Sequence, residues 1–354
     1  MSTNSKLAFL GVSAILLLLF LLAKGLGVYL ADSKSRDFIL TTSGMAQGTT
    51  WHVSVWDLEG VNLQALRKDV EIEFERLDEL LSNYRLDSQI ERFNAAATTG
   101  AVRVGPEIVT LVQIAQGISE ATGGGYDLTI KPLFDLWGFK GDQLTPPDPA
   151  TIHALLGRIG FHRLRLIPPD QLGKDTPDLR VDLGSIAQGY SVGRIAAVIE
   201  AAGISNYIVE IGGELQTSGH KPDGSPWRIG VERPLPGGRS VQKALTIRRD
   251  APLAVMTSGT YHHYFDQHGK RYSHILDART GKPIEHNTVS VTVVNDNPTV
   301  ADAWSTALLC LGQQEGMAVA DRYGIAALFI TETGERLEEF TTSAWRSLND
   351  MEVD

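Results

Sequence analysis

Two hydrophobic periods take turns along this chain, and their order constrains the fold more than any single motif does. Thr49–Trp56 (TTWHVSVW) alternates apolar and polar residues, which predicts a strand. Immediately after it, Leu66, Val70, Phe74, Leu77 and Leu81 fall on one face of a helix spanning Asn62–Leu81. Further helices are predicted over Ile108–Thr122, closed by Gly123-Gly124-Gly125, over Pro149–Ile159 and over Gly189–Ala202. Short strands are predicted at Leu164–Ile167, Leu179–Val181, Tyr207–Ile211, Trp227–Val231, Ala244–Ile247, Leu253–Thr257 and Thr288–Val294. Helices over Val300–Cys310 and Gly316–Tyr323 and a strand over Ala326–Thr331 follow. Strands thus come both in runs and between helices. That order predicts an α+β fold with mixed or antiparallel sheets packed against helices, and not a regular doubly wound parallel sheet. No repeat with a period of about 20 to 50 residues interrupts it.

The chain has 354 residues, 43% of them hydrophobic, which is enough to bury a sizeable core. Length alone suggests two domains at roughly 150 residues each. A net charge of −10 argues against a nucleic-acid track, which needs clustered Lys and Arg. The single cysteine, Cys310, excludes an intramolecular disulfide and a cysteine-based zinc site. Leu7–Ala23 carries no charge, and after Lys24 the apolar run resumes to Ala31. At ~1.5 Å per residue the uncharged stretch reaches about 25 Å, and with Lys24 snorkelling Leu7–Ala31 can span a bilayer core of about 30 Å. Residues 1–31 therefore read as one N-terminal transmembrane helix, an anchor or uncleaved signal. A cleaved signal would need a small-x-small site, and Ala23-Lys24-Gly25 is a poor one. Residues 32–37 form a linker. Lys6 on one side and Lys24, Lys34 and Arg36 on the other leave the orientation open on charge alone.

Several common frameworks are absent: the sequence holds no P-loop, no G-x-G-x-x-G between strand and helix, no H-E-x-x-H and no G-x-S-x-G elbow. Three weaker constellations remain. Asp302 and Thr306 are i and i+4 on a predicted helix, so a carboxylate and a hydroxyl share one face, a hard-oxygen pair suited to Mg²⁺ or Ca²⁺. The same spacing fits a dipole-stabilised acidic turn with a back-bonded Thr. Val181–Tyr190 (VDLGSIAQGY) is a strand end, a Gly turn and a helix start, whose carbonyls or N–H groups can meet a metal or a phosphate. It also fits a plain helix start capped by Ser185. Tyr264–Gly281 reads as a hairpin with His274 and Asp277 at the end of the returning strand, where a histidine beside a carboxylate can move a proton. His262, His263, His268 and His274 match no zinc spacing and fit a hairpin surface.

Taken in order, nine blocks resemble the FAD:protein FMN transferases of the ApbE family. They are Met45–Trp51 (MAQGTTW), Ser82–Asn94 (SNYRLDSQIERFN), Gly124–Leu133 (GGYDLTIKPL), Trp137–Phe139, Val181–Tyr190, Ile211–Leu215 (IGGEL), Thr257–Tyr261 (TSGTY), Tyr272–Gly281 (YSHILDARTG) and Ser290–Thr306. The resemblance covers about residues 38–345, implying one catalytic domain, with 346–354 as a C-terminal tail. It implies an enzyme that binds FAD as substrate together with Mg²⁺. The FMN half would pass to a Thr (or Ser) hydroxyl of a target protein as a phosphoester, releasing AMP. By motif, Met45, Tyr84, Gly125, Tyr126, Asp127, Asp182, Gln188 and Leu276 would contact FAD. Asp302 and Thr306 would hold Mg²⁺ through their side chains and Ser185 through its carbonyl. Asp302 and His274 would be the catalytic residues, with His274 activating the acceptor hydroxyl.

Two departures from the family pattern stand out. Gln188 occupies a position that is often Lys, which lessens direct phosphate attraction. The lipidation cysteine of many members is missing, so the N-terminal helix would serve as the membrane anchor. The resemblance implies a catalytic domain facing the periplasm from a bacterial inner membrane, and an acceptor of the redox-pump kind there. No Asp-Gly-[Ser/Thr]-Gly-[Ser/Ala]-Thr stretch occurs, so the acceptor should be another protein. A Mg²⁺-dependent FAD pyrophosphatase giving FMN and AMP, or a non-catalytic FAD-binding protein, are the competing expectations.

Overall fold

The computed structural model describes residues 38–353 apart from 58–59, 140–145, 235–239, 262–263, 268–269 and 335, with backbone only at 264–267 and 270–271. The expected membrane helix over 1–31 and its linker lie outside the described residues. Among the described residues no helix is long and apolar enough to cross a membrane.

An eight-stranded sheet organises the molecule. Its strands are β1 (Leu40–Ala46), β2 (Thr49–Trp56), β3 (Asn206–Ile211), β4 (Glu214–Ser218), β5 (Leu253–Gly259), β6 (Thr288–Asn295), β7 (Ala326–Thr333) and β8 (Arg336–Thr341). They lie side by side in that order, and every neighbouring pair is antiparallel. The α+β expectation holds, with the main sheet purely antiparallel. The helical material enters as one long insertion between β2 and β3. It carries α1 (Leu63–Leu81), α2 (Pro106–Ala121) and α3 (Gly184–Ala201), and α4 (Pro298–Tyr323) then joins β6 to β7.

The sheet is buried on both faces, so its strands feed two cores. Val209, Ile211, Met256, Val291, Val293 and Phe329 join the helices in the larger core. Ile208, Val255, Val294 and Leu328, one residue out of phase, pack against a small sheet of Trp227–Glu232, Val241–Ile247 and Met351–Val353. The stretch set apart as a C-terminal tail is thus partly built in: Met351, Glu352 and Val353 pair with Ile247, Thr246 and Leu245.

Most predicted elements recur. Asn62 caps α1 by accepting from the N–H groups of Gln64 and Ala65, and Leu66, Val70, Phe74, Leu77 and Leu81 are all buried. The two helices expected from Val300 to Tyr323 form α4, broken at Gly312 (φ 75°). Leu179–Val181 is not a strand: the Leu179 N–H donates to the Thr176 carbonyl at 3.2 Å, and Val181 pairs with a side chain. The Val181 N–H donates to Asn94 Oδ1 at 2.7 Å, and its carbonyl accepts from Asn94 Nδ2 at 2.9 Å. Helix α3 starts at Gly184, five residues before the expected Gly189. Its first turn is held by Asp182, whose Oδ1 accepts the Gly184 N–H at 2.9 Å, so Ser185 is not the cap.

Candidate active site

The first two turns of α3 form the hub. Gly189 sits where α3 crosses α4, and a Cβ on it would lie 2.5 Å from Asp302 Cβ and against the Pro298 carbonyl. Glycine is what lets the two helices approach this closely. The approach puts Asp302 Oδ2 2.7 Å from the Gly189 N–H. In a helix that N–H points at the carbonyl four residues back, which is that of Ser185. The Asp302 carboxylate and the Ser185 carbonyl therefore converge, and Thr306, one turn along α4 from Asp302, stands on the same face.

Asp302 is 5% exposed and, among the described residues, no donor reaches its Oδ1 and no cation pairs with it. Burial pushes its carboxyl up to about 7, against the opposing pull of the Gly189 N–H. Glu214, at the start of β4, is 7% exposed, and both its oxygens accept the Thr257 N–H, at 3.0 and 3.2 Å. Burial and then the charge of Asp302 hold Glu214 well above the usual carboxylate range. Two buried carboxylates that feel each other without a basic partner form an electron-rich pocket that a cation would settle. Carboxylate, hydroxyl and carbonyl oxygens are the hard donors that Mg²⁺ prefers, and it keeps several waters, so few protein ligands suffice. Asp302, Thr306 and Ser185 fit that ion.

The other candidate residues fall into three groups. Ser185 donates its hydroxyl to the Tyr126 phenol at 3.1 Å, and Tyr126 is buried, so it props up the turn from beneath. Asn83 clamps the α1 exit onto this turn: its Oδ1 accepts the Leu183 N–H at 2.7 Å and its Nδ2 donates to the Val181 carbonyl at 3.1 Å. That clamp sets Tyr84 beside the Asp182 segment with its ring 80% exposed. Met45, on β1, is also exposed, and its hairpin touches α3 through a Gln47 Nε2 bond to Ser191 at 3.0 Å. Gln188 donates from Nε2 to the Ile211 carbonyl at 2.5 Å, tying the hub to the Gly212-Gly213 turn.

A second group is turned inward. Asp127 spends its carboxylate on the Thr129 N–H at 2.7 Å, the Thr129 hydroxyl at 2.8 Å and the Phe161 N–H at 2.6 Å. Its side chain is therefore a scaffold for the loop. Leu276 buries its side chain in a small core with Leu133 and Trp137, while its carbonyl accepts from Cys310 Sγ at 3.6 Å. A Cβ on Gly125 would lie 3.0 Å from Leu311 and 3.5 Å from Arg279, and the Gly125 carbonyl accepts the Ala278 N–H at 3.3 Å. For Leu276 and Gly125 only backbone atoms are on offer to a ligand. Finally, His274 is half-buried at the bend after Lys270–Ser273, two residues before Leu276, whose carbonyl meets Cys310 of α4. His262, His263 and His268 lie outside the described residues.

Sequence reasoning singled out the glycines of Ile211–Leu215 and missed Glu214. An apolar-looking motif with one acidic residue on a strand gives no hint that the carboxylate is buried within electrostatic reach of Asp302.

The comparisons with known proteins give the family. The model of the ApbE family matches residues 47–329. A Klebsiella pneumoniae protein named FAD:protein FMN transferase is 36% identical over 309 residues, covering 86% of this chain and 87% of its own. A Vibrio cholerae protein of the same name is 37% identical over 308 residues, covering 86% and 91%. Among solved structures, the apo form of Pseudomonas stutzeri flavinyl transferase ApbE superposes with a TM-score of 0.79 at 37% identity. It covers 88% of this chain and 97% of that one. The family model spans the hub, the Gly212-Gly213 turn and the α3–α4 crossing alike, and the chain belongs to the ApbE family.

Proposed function

We propose that this protein transfers the FMN moiety of FAD to a Thr (or Ser) hydroxyl of a separate acceptor protein, with Mg²⁺ and with release of AMP. The observation that carries the reading is the convergence of Asp302, Thr306 and the Ser185 carbonyl beside a second buried carboxylate, Glu214, with no basic partner among the described residues. When bound there, Mg²⁺ supplies charge neutralisation to the pyrophosphate oxygens.

The chain's own residues do the rest. Tyr84 offers an exposed flat ring and Met45 an exposed thioether for the apolar isoalloxazine. Asn83, Tyr126 and Asp182 fix the turn that carries Ser185, so the ligand carbonyl is held in place before substrate arrives. His274 takes the proton of the acceptor hydroxyl. The acceptor oxygen then bonds to the phosphorus of the FMN half, and the bond from that phosphorus to the AMP oxygen breaks. Gln188, already committed to the Ile211 carbonyl, shapes the turn and adds no charge.

Residues 7–31 would anchor the protein in the inner membrane with the catalytic domain on the periplasmic side, next to a membrane redox-pump subunit as acceptor. Their charge-poor apolar run supports this. The test uses full-length protein, FAD, MgCl₂ and a Thr-bearing acceptor. Fluorescent flavin that stays on the acceptor after denaturation, with AMP released in equal amount, is the expected result. Free FMN and AMP with an unlabelled acceptor would replace transfer by FAD hydrolysis. Retention of intact FAD would leave only a flavin-binding protein.

A further inference from the structure

A short chain of hydroxyls beside Thr306 has a direction, and the direction is set by one atom. Ser305 is fully buried and donates its single hydroxyl proton to the Asp302 carbonyl at 2.8 Å, an acceptor that has no proton to give. Ser258, near the end of β5, places its Oγ 2.7 Å from Ser305 Oγ and 2.9 Å from Thr306 Oγ1. Three contacts share three hydroxyl protons, and the one arrangement that satisfies all three puts the Ser305 proton on the carbonyl and has Ser258 donate to Ser305. Ser258 then has no proton left for Thr306, so Thr306 donates to Ser258. The order is Thr306 to Ser258 to Ser305 to the Asp302 carbonyl.

We propose that Ser258 and Ser305 are positioning residues that turn the Thr306 hydroxyl so that its proton points away from the metal site and its lone pairs point into it. This rests on the reading of Thr306 as a Mg²⁺ ligand. A hydroxyl can ligate a cation only through a lone pair, and a proton facing the ion would repel it. Outer partners that orient a ligand in this way typically matter about 10–100-fold in metal affinity. The relay is locked at both ends by the fold. Ser258 follows Thr257, whose N–H is gripped by both Glu214 oxygens, and Ser305 lies in the same helical turn as the carbonyl that anchors the chain. The strand end and the helix are thus held at the separation the three hydroxyls need.

The experiment titrates Mg²⁺ into the full-length protein by calorimetry, without FAD, for wild type, Thr306→Val, Ser258→Ala, Ser305→Ala and Ser258→Thr. Metal-free melting temperature serves as the folding control. Ser258→Ala should weaken Mg²⁺ about tenfold or more, and Ser258→Thr, which keeps a hydroxyl, should restore much of it. Ser305→Ala should weaken it several-fold, although the Ser305 hydroxyl bonds to Ser258 and the Asp302 carbonyl and not to the Thr306 hydroxyl, because Ser258 becomes free to donate to Thr306. A merely structural role for Ser305 would move the metal-free melting temperature and leave the affinity alone. If Thr306→Val weakens Mg²⁺ and both serine variants bind as wild type does, the relay is wrong while the metal site stands. If Thr306→Val binds Mg²⁺ as wild type does, Thr306 is not a ligand and both readings fall. Should Ser258→Ala not fold, Ser305→Ala and Ser258→Thr decide the matter by the same comparison.

Discussion

The Asp302 carboxylate makes the metal-free protein less stable than it could be, and Asp302→Asn measures by how much. Burial raises this group from an ordinary 3.8 to about 7. The sign follows from the direction of that shift. The folded state holds the proton more tightly than the unfolded one, so stability falls as pH rises through the window between the two values. The cost is absent below about pH 4, grows from pH 4 to 7 and is constant above 7. The rise from 3.8 to about 7 corresponds to at most on the order of 4 kcal/mol above pH 7. Asparagine keeps an oxygen for the Gly189 N–H and removes the charge. In EDTA at pH 8 the variant should therefore melt higher than wild type. Unfolding entropy of ~2.1 cal/mol/K per residue gives about 1.3–1.5 °C per kcal/mol for a chain of this length, hence up to about 5–6 °C. At pH 5 the gap should shrink to less than half. Adding Mg²⁺ reverses the order of benefit: wild type should gain about 2.7 kcal/mol at a hundredfold excess over its dissociation constant, and the variant nothing. Differential scanning calorimetry over pH 5–8, with and without Mg²⁺, reads all of this. Equal melting temperatures in EDTA at pH 8, or a gap that does not change with pH, would refute the claim that a buried, unpaired charge sits at the α3–α4 crossing.

Three further outcomes follow from the packing. Gly189→Ala should cost about 1–3 kcal/mol by overpacking against Asp302 and Pro298, and should weaken Mg²⁺ binding in the same preparation, measured by denaturant melts and calorimetry. Tyr84→Ala should leave the melting temperature unchanged because the ring is 80% exposed, yet weaken FAD binding up to about tenfold in a fluorescence titration. Lys174 is fully buried and donates from Nζ to the carbonyls of Asn94, Ala96 and Pro177, at 3.2, 2.9 and 3.3 Å. Lys174→Met should cost about 2–4 kcal/mol at pH 7 by stranding those carbonyls. Burial pushes the amine down to about 8, so the unfolded state binds the proton more tightly, and wild type should gain stability over the variant from pH 8 toward 10.5.

What could be read from the sequence, and what could not, divides along the kind of interaction involved. Helix α1 was legible because its buried face is apolar at a helical period. Strand β4 was not, although all five of its residues are buried, because Glu214, Gln216, Thr217 and Ser218 are polar and a hydropathy pattern reads them as loop. Their partners are protein groups that hydropathy cannot see: Glu214 accepts the Thr257 N–H, Gln216 donates to the Tyr207 hydroxyl and Ser218 donates to the Asp250 carbonyl. Gly189 is the mirror case: it reads as a helix boundary, but its role is to admit Asp302 into the middle of the contact between α3 and α4. Spacing put Asp302 and Thr306 on one face, yet only the fold brings Ser185 to the same point, because that contact joins residues over a hundred positions apart. Asp127 shows the converse limit. A motif match assigns it to the ligand, and its carboxylate also makes three hydrogen bonds that hold the loop. An acidic residue inside a family motif is as much evidence of a rigid turn as of a contact. The two are separated only by counting where its lone pairs go.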